Sequence, residues 1–125
     1  MPNPELRTVA NRLVELCRSN QSATVLDELT DPNVVSVEAM AMPGQDTAEV
    51  HGLEALRQKH AWWNSTFEVH EASCEGPFPH GDDRFAVIFS MDVTNRHTKQ
   101  REQLREVAVY TVAAGKVVRE EFFYG

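Results

Sequence analysis

No apolar run in these 125 residues approaches the roughly 18 residues of a membrane-spanning helix, so a helical span is excluded. No signal-peptide pattern opens the chain, and a cytoplasmic protein is expected. Cysteine is scarce. Cys17 and Cys74 stand far apart, without metal-ligand spacing, and read as buried reduced thiols. Basic residues number 12 against 19 acidic ones, a net charge of −7 that argues against a nucleic-acid partner. There is no glycine-rich phosphate loop, no CxxC and no GxSxG elbow, so no nucleotide, haem or flavin cofactor is expected. His51, His60, His70, His80 and His97 lie nine or more residues apart, with no HxH or HxxxH pair, and no metal site is assigned.

What is present is an ordinary soluble composition, 42% hydrophobic and 25% charged, in a length that fits one domain over residues 1–125. Asn3-Pro4-Glu5 reads as a helix start, with Asn3 as N-cap. Leu6, Val9, Ala10, Leu13, Leu16 and Cys17 then share one helical face. Ser22 reads as the cap of a second helix that Asp31-Pro32 stops. Val34 to Glu38 reads as a strand, and Met40 to Val50 as a loop. A third helix follows His51-Gly52, with Leu53, Leu56, His60 and Trp63 along one stripe.

Phe67 to Cys74 reads as a strand, and Gly76 to Asp83 as a loop, because two prolines sit in it. Arg84 to Thr94 alternates, with Phe85, Val87, Phe89, Met91 and Val93 on one side. After the polar turn at 95–100 comes Arg101 to Gly125, two runs of β-formers around Ala-Ala-Gly-Lys, the pattern of a hairpin. Helices gathered ahead of a run of strands imply an α+β fold. Three N-terminal helices should pack on a strongly curved, mostly antiparallel sheet that encloses a conical pocket.

The hairpin carries Glu106, Glu120 and Glu121 among apolar residues, and each such carboxylate either meets water or lines a cavity. Glu106, Ala108, Tyr110 and Val112 share a face, an acid and a phenol about 13 Å apart along the strand. A strict two-residue turn opposes Tyr110 to Arg119 and turns Glu121 and Phe123 inward. A bulge instead turns Glu120, Phe122 and Tyr124 inward. Glu38, an acid ending a valine-rich strand, is a candidate general base. Met40 and Met42 are candidate walls, and Trp63 is favoured over Trp62 because it lies on the stripe of Leu53 and Leu56. His60 shares that stripe as a proton shuttle, a hydrogen-bonding ligand residue or a core histidine. Val107, Val109 and Thr111 would leave an apolar patch on the opposite face, which a second copy in a homodimer would cover.

Three stretches, LTDPNVVSVEA, HGLEALRQKHAWW and YTVAAGKVVREEFFY, in this order and spacing, resemble the SnoaL-like branch of the nuclear transport factor two-like superfamily. The resemblance implies a curved sheet over three helices, a deep apolar cavity and pairing through the sheet. Its members include isomerases, polyketide cyclases, dehydratases and non-catalytic binding modules, so the fold leaves the activity open. Tried against the ketosteroid isomerases, the tyrosine donor falls at Leu13, the base near Val37 with Glu38 next to it, and the protonated aspartate near Ala108. That set is incomplete, which argues against steroid isomerisation.

Three classes of function are therefore expected to compete. One is a cofactor-free enzyme in which Glu38 or Glu106 moves a proton of an apolar carbonyl substrate and Tyr110 or Tyr124 steadies the enolate oxygen. Another is a module binding a small hydrophobic ligand through Met40, Trp63 and Phe122. The last is a purely structural dimer or partner-binding domain whose own side chains fill the cone.

Overall fold

A computed structural model describes residues 4–41, 44 and 46–124. Asn3, Met42, Pro43 and Gly125 lie outside the described residues, and with them the Asn3 cap and the Met42 wall. The helices are α1 (Pro4–Arg18), α2 (Ser22–Leu29) and α3 (Leu53–Thr66). The strands are β1 (Thr30–Val37), β2 (Glu49–His51), β3 (Phe67–His80), β4 (Arg84–Asn95), β5 (Arg101–Ala113) and β6 (Lys116–Tyr124). They form one six-stranded sheet in the order β2-β1-β6-β5-β4-β3. Only β1 and β6 run parallel; the other neighbours are antiparallel. The sheet curves around the helices without closing, and the α+β architecture stands as expected.

The core lies where helix and strand periodicities meet. Leu6, Val9, Ala10, Leu13, Val14 and Leu16 of α1 are buried against Phe85 and Val87 of β4 and Ala108, Tyr110 and Val112 of β5. Leu56 of α3 and Val34 of β1 complete it at the other end. Phe85 stacks on Tyr110 with ring centroids 5.1 Å apart, which fixes the phenol deep in the sheet.

Three local expectations need correction. Ser22 opens α2 as its first helical residue instead of capping it; Gln21 holds the cap position, with no side-chain hydrogen bond. The stretch 40–50 is not all loop, since Glu49–His51 pairs with Val35–Val37 of β1 as a short edge strand. Its three residues are too few to carry an alternating signal. Most instructive is Gly76-Pro77-Phe78-Pro79, which continues β3 to His80. β3 is an edge strand, and its register with β4 shifts between Glu75 and Phe78, which takes the first proline out of the ladder.

The hairpin itself turns at Ala114 (φ 50°) and Gly115 (φ 76°), both left-handed, the backbone that a two-residue turn between right-twisted strands requires. Ala113 opposes Lys116 and Val112 opposes Val117, but Thr111 opposes Arg119. Val118 is therefore the extra residue of a bulge. Below it Tyr110 faces Glu120, Ala108 faces Phe122 and Glu106 faces Tyr124. Both Val117 and Glu120 are buried although they stand an odd number of residues apart, which an unbroken strand could not achieve.

Candidate functional site

Four elements converge on one polar cluster. β1 alternates, so Val34 and Ser36 point inward, and Glu38 follows on the same side just past the strand. In the parallel pairing with β6, Ser36 lies beside Glu120. β5 brings Glu106 opposite Tyr124. α3 covers this end of the sheet, and Lys59, one turn beyond the fully buried Leu56, reaches down into it.

Lys59 is the hub. Its ammonium forms an ion pair with Glu38 Oε1, and both side chains are largely buried, at 13% and 14% exposure. It also donates to Ser36 Oγ at 2.9 Å, and Ser36 Oγ donates in turn to Glu120 Oε1 at 2.8 Å. The Phe122 ring lies 4.9 Å from the Lys59 nitrogen, a cation–π contact at the floor of the cluster. The Tyr124 hydroxyl donates to the second oxygen of Glu38 at 2.5 Å. Both oxygens of Glu38 are thus engaged.

Burial governs the proton affinities. Glu120, 7% exposed, is raised by desolvation, and the Ser36 hydrogen bond and Lys59 oppose the rise. Glu106 is pushed up to about 7, first by burial, then by the negative charge of Glu38, with Lys59 opposing and Glu120 adding to it. No hydrogen bond or ion pair holds Glu106 among the described residues. Tyr110 is raised well above its ordinary value, chiefly by burial, and stays a neutral phenol. Tyr124 is raised by burial and by its bond to Glu38. His60 is held down by burial and by neighbouring Lys59, so it is neutral at physiological pH.

The expected residues separate accordingly. Glu38, Glu106, Glu120, Phe122 and Tyr124 come together; Tyr110 lies deeper, opposite Glu120 in the ladder. Trp63 lies over Phe67 with centroids 4.3 Å apart, and Trp62 meets the same ring edge-on. Met40 is 72% exposed on the surface beyond β1 and does not join the cluster. Glu121 turns outward to Arg119, whose Nε donates to it at 3.2 Å. Two residues that carry the arrangement, Lys59 and Ser36, were not among the candidates. A signal existed for Lys59: it follows Leu56 by three and precedes Trp63 by four, so a cation sits on the apolar stripe. Ser36 between Val35 and Val37 has only its inward parity to mark it.

Two open grooves lie elsewhere. One of about 420 Å³ runs between α1 (Asn11, Arg18) and Gly76-Pro77. Another of about 740 Å³ lies across β3, β4 and β5 at Ser73, Asp92 and Arg105. Neither reaches Lys59 or Glu106, so the site is defined by its chemistry and not by groove size. Among the described residues no group of three or more His, Cys, Asp or Glu is arranged to hold a metal ion. No described helix is long and apolar enough to cross a membrane.

The sequence model of the SnoaL-like domain matches residues 5–124. The chain belongs to the SnoaL-like family. This SnoaL-like chain is 40% identical to a Mesorhizobium loti protein described as a SnoaL-like polyketide cyclase, at a TM-score of 0.88 over 94% of this chain and 97% of that one. A Jannaschia protein, also described as a SnoaL-like polyketide cyclase, shares the fold at 18% identity and TM-score 0.74, covering 97% of this chain and 85% of its own. So does a nuclear transport factor two-like protein of unknown function from Burkholderia pseudomallei, at 18% identity and TM-score 0.73, covering 97% and 91%. No curated protein matches.

Proposed function

We propose that this SnoaL-like chain is a cofactor-free acid/base enzyme, an isomerase, cyclase or dehydratase, acting on a small neutral β-dicarbonyl compound. The observation that carries the reading is Glu106. It is the inward carboxylate without a hydrogen-bonding or ionic partner among the described residues, and its proton affinity sits near neutrality. A group poised there exists in both forms at physiological pH and can serve as base and then as acid. The kinship with a Mesorhizobium loti protein described as a polyketide cyclase supports the substrate class, since polyketides are built of β-dicarbonyl units.

The chemistry then balances within the chain's own residues. Ionised Glu106 takes a proton from the carbon between two carbonyls, and the C–H electron pair becomes an enolate. Lys59 has three donors, of which Glu38 and Ser36 use two, so one remains for the enolate oxygen. Protonated Glu106 returns its proton either to a different carbon of a conjugated enolate, which isomerises the substrate, or to the alkoxide formed when the enolate attacks a second carbonyl. A β-dicarbonyl suits a base of this strength, because its carbanion is far more stable than that of a simple ketone. Phe122 and the ring of Tyr124 supply apolar walls.

The outer face of the hairpin supports a second part of the proposal, a homodimer through the sheet. Val107 faces Ile88 and Phe123, and Val109 faces Ala86 and Glu121, giving an apolar row with Phe123 52% and Phe78 49% exposed. A second copy would cover it with the same surface.

The test is deuterium exchange into benzoylacetone in deuterated buffer, followed by NMR, alongside a carboxyl titration of the free protein. Exchange above the buffer background, lost in Glu106→Gln, supports the reading. An ordinary Glu106 titration with no exchange would favour a non-catalytic binding module.

A further inference from the structure

Glu38 stands at the strand end where a base was expected, yet its surroundings suit a different task. One oxygen is paired with Lys59 from α3 and the other accepts from Tyr124 of β6, so two separate elements clamp it. A carboxylate with both oxygens held by donors is fixed in one orientation, and reaching a substrate means breaking one of those bonds. Glu106 sits directly across the ladder from Tyr124, the residue whose hydroxyl holds Glu38. Every other charged or titratable group acting on Glu106 can be named: Lys59 from α3, Glu120 and Tyr124 from β6, and Tyr110 from its own strand. β4 contributes Phe89 opposite it, which carries no charge.

We infer that Glu38 is a positioning residue, an anion fixed between Lys59 and Tyr124 that governs the proton traffic of Glu106 without exchanging a proton with substrate. Two consequences follow from the clamp. Its charge makes Glu106 hold its proton to higher pH, consistent with Glu38 being the strongest charged influence on that group. Its grip on Lys59 also leaves the remaining ammonium N–H to be aimed at an incoming oxygen. The inference rests on the reading of Glu106 as the proton carrier, but its physical content can be measured without substrate.

The experiment follows the Glu106 carboxyl by carbon NMR from acid to alkaline pH in the native protein, Glu38→Gln and Glu38→Asp, with Glu106→Gln to assign the signal. The pH profile of benzoylacetone exchange is recorded for the same proteins. In Glu38→Gln the Glu106 midpoint should fall by about one pH unit or more, tenfold in proton affinity. The acid limb of the exchange profile should fall with it, and exchange should persist at higher pH. Glu38→Asp, keeping the charge, should restore most of the midpoint. Should Glu38→Gln leave Lys59 too poorly accommodated to fold, Glu38→Gln/Lys59→Met removes both charges together. There the midpoint should still fall, by less, because the weaker opposing charge is lost as well. Loss of exchange at every pH with an unmoved Glu106 midpoint would overturn the inference and make Glu38 the base. A midpoint that falls in a protein showing no exchange at all would uphold the electrostatic role of Glu38 and sink the catalytic reading of Glu106 instead.

Discussion

Each face of the terminal hairpin departs from the usual rule in its own way. The inner face of β5 and β6 carries Glu106, Tyr110, Glu120 and Tyr124 among Ala108, Val112 and Phe122, whereas the outer face carries Val107, Val109 and Phe123 beside the paired Arg119 and Glu121. Carboxylates are rarely buried, and exposed apolar rows are normally kept small. One face therefore holds polar groups at a cost in folding free energy, and the other leaves apolar area uncovered in a single chain. Buried acids that desolvation penalises are characteristic of sites that move protons, and uncovered apolar rows of surfaces that meet a partner. On the reading proposed above, the contrast gives two separate roles to strands that share a backbone.

The largest effect should come from breaking the inner face. Glu106→Gln is expected to lower β-dicarbonyl exchange by roughly a hundredfold to ten-thousandfold, read by NMR in deuterated buffer. The next concerns stability and pH. Glu106 has an ordinary value of 4.5 and a folded value of about 7, so the folded state binds the proton more tightly. Its contribution is fully present below 4.5 and is lost as pH rises through about 7, a decline of about 3 kcal/mol. Chemical denaturation across that range should show the decline in the native protein, and Glu106→Gln should remove it.

The outer face should respond on a smaller scale and to a different measurement. Phe123→Ser is expected to weaken self-association by about 2 kcal/mol in sedimentation experiments, with the fold of each chain changed by only about 0.5 kcal/mol. A stability loss without a change in association would erase the distinction between the faces. The smallest test sharpens the inner boundary. Cys17 is pushed up to about 12 by burial and Cys74 is raised by the same cause, so both thiols should resist a thiol-labelling reagent until the protein unfolds. Rapid labelling of the native chain would mean that this side of the sheet is wetter than its packing implies.

Much of the scaffold could be read from periodicity. The α1 stripe from Leu6 to Leu16, the alternation of Phe85, Val87 and Val93, and the hairpin break each express a local rule that the tertiary fold obeys. What escaped was decided by neighbours in space. Prolines near Gly76 announced a loop, but an edge position and a register shift let β3 carry them. Lys59 stands on the apolar stripe of α3, but nothing in α3 reveals that Glu38 and Ser36, more than twenty residues earlier, wait beneath it. The choice between Glu120 and Glu121 was posed correctly by the sequence and left undecided, since a bulge and a strict turn use the same letters.

That undecided residue has an evolutionary corollary. Because Val118 is the extra residue, deleting it would leave Tyr110 opposite Glu120, whereas keeping it in an unbulged ladder would present Arg119, Glu121 and Phe123 to the interior and send Glu120 and Tyr124 outside. Two relatives that align letter for letter along β6, yet differ in whether that ladder is bulged, would hold opposite chemistries. Transfer of residue roles between such relatives is safe only when the pairing of the two strands is compared first.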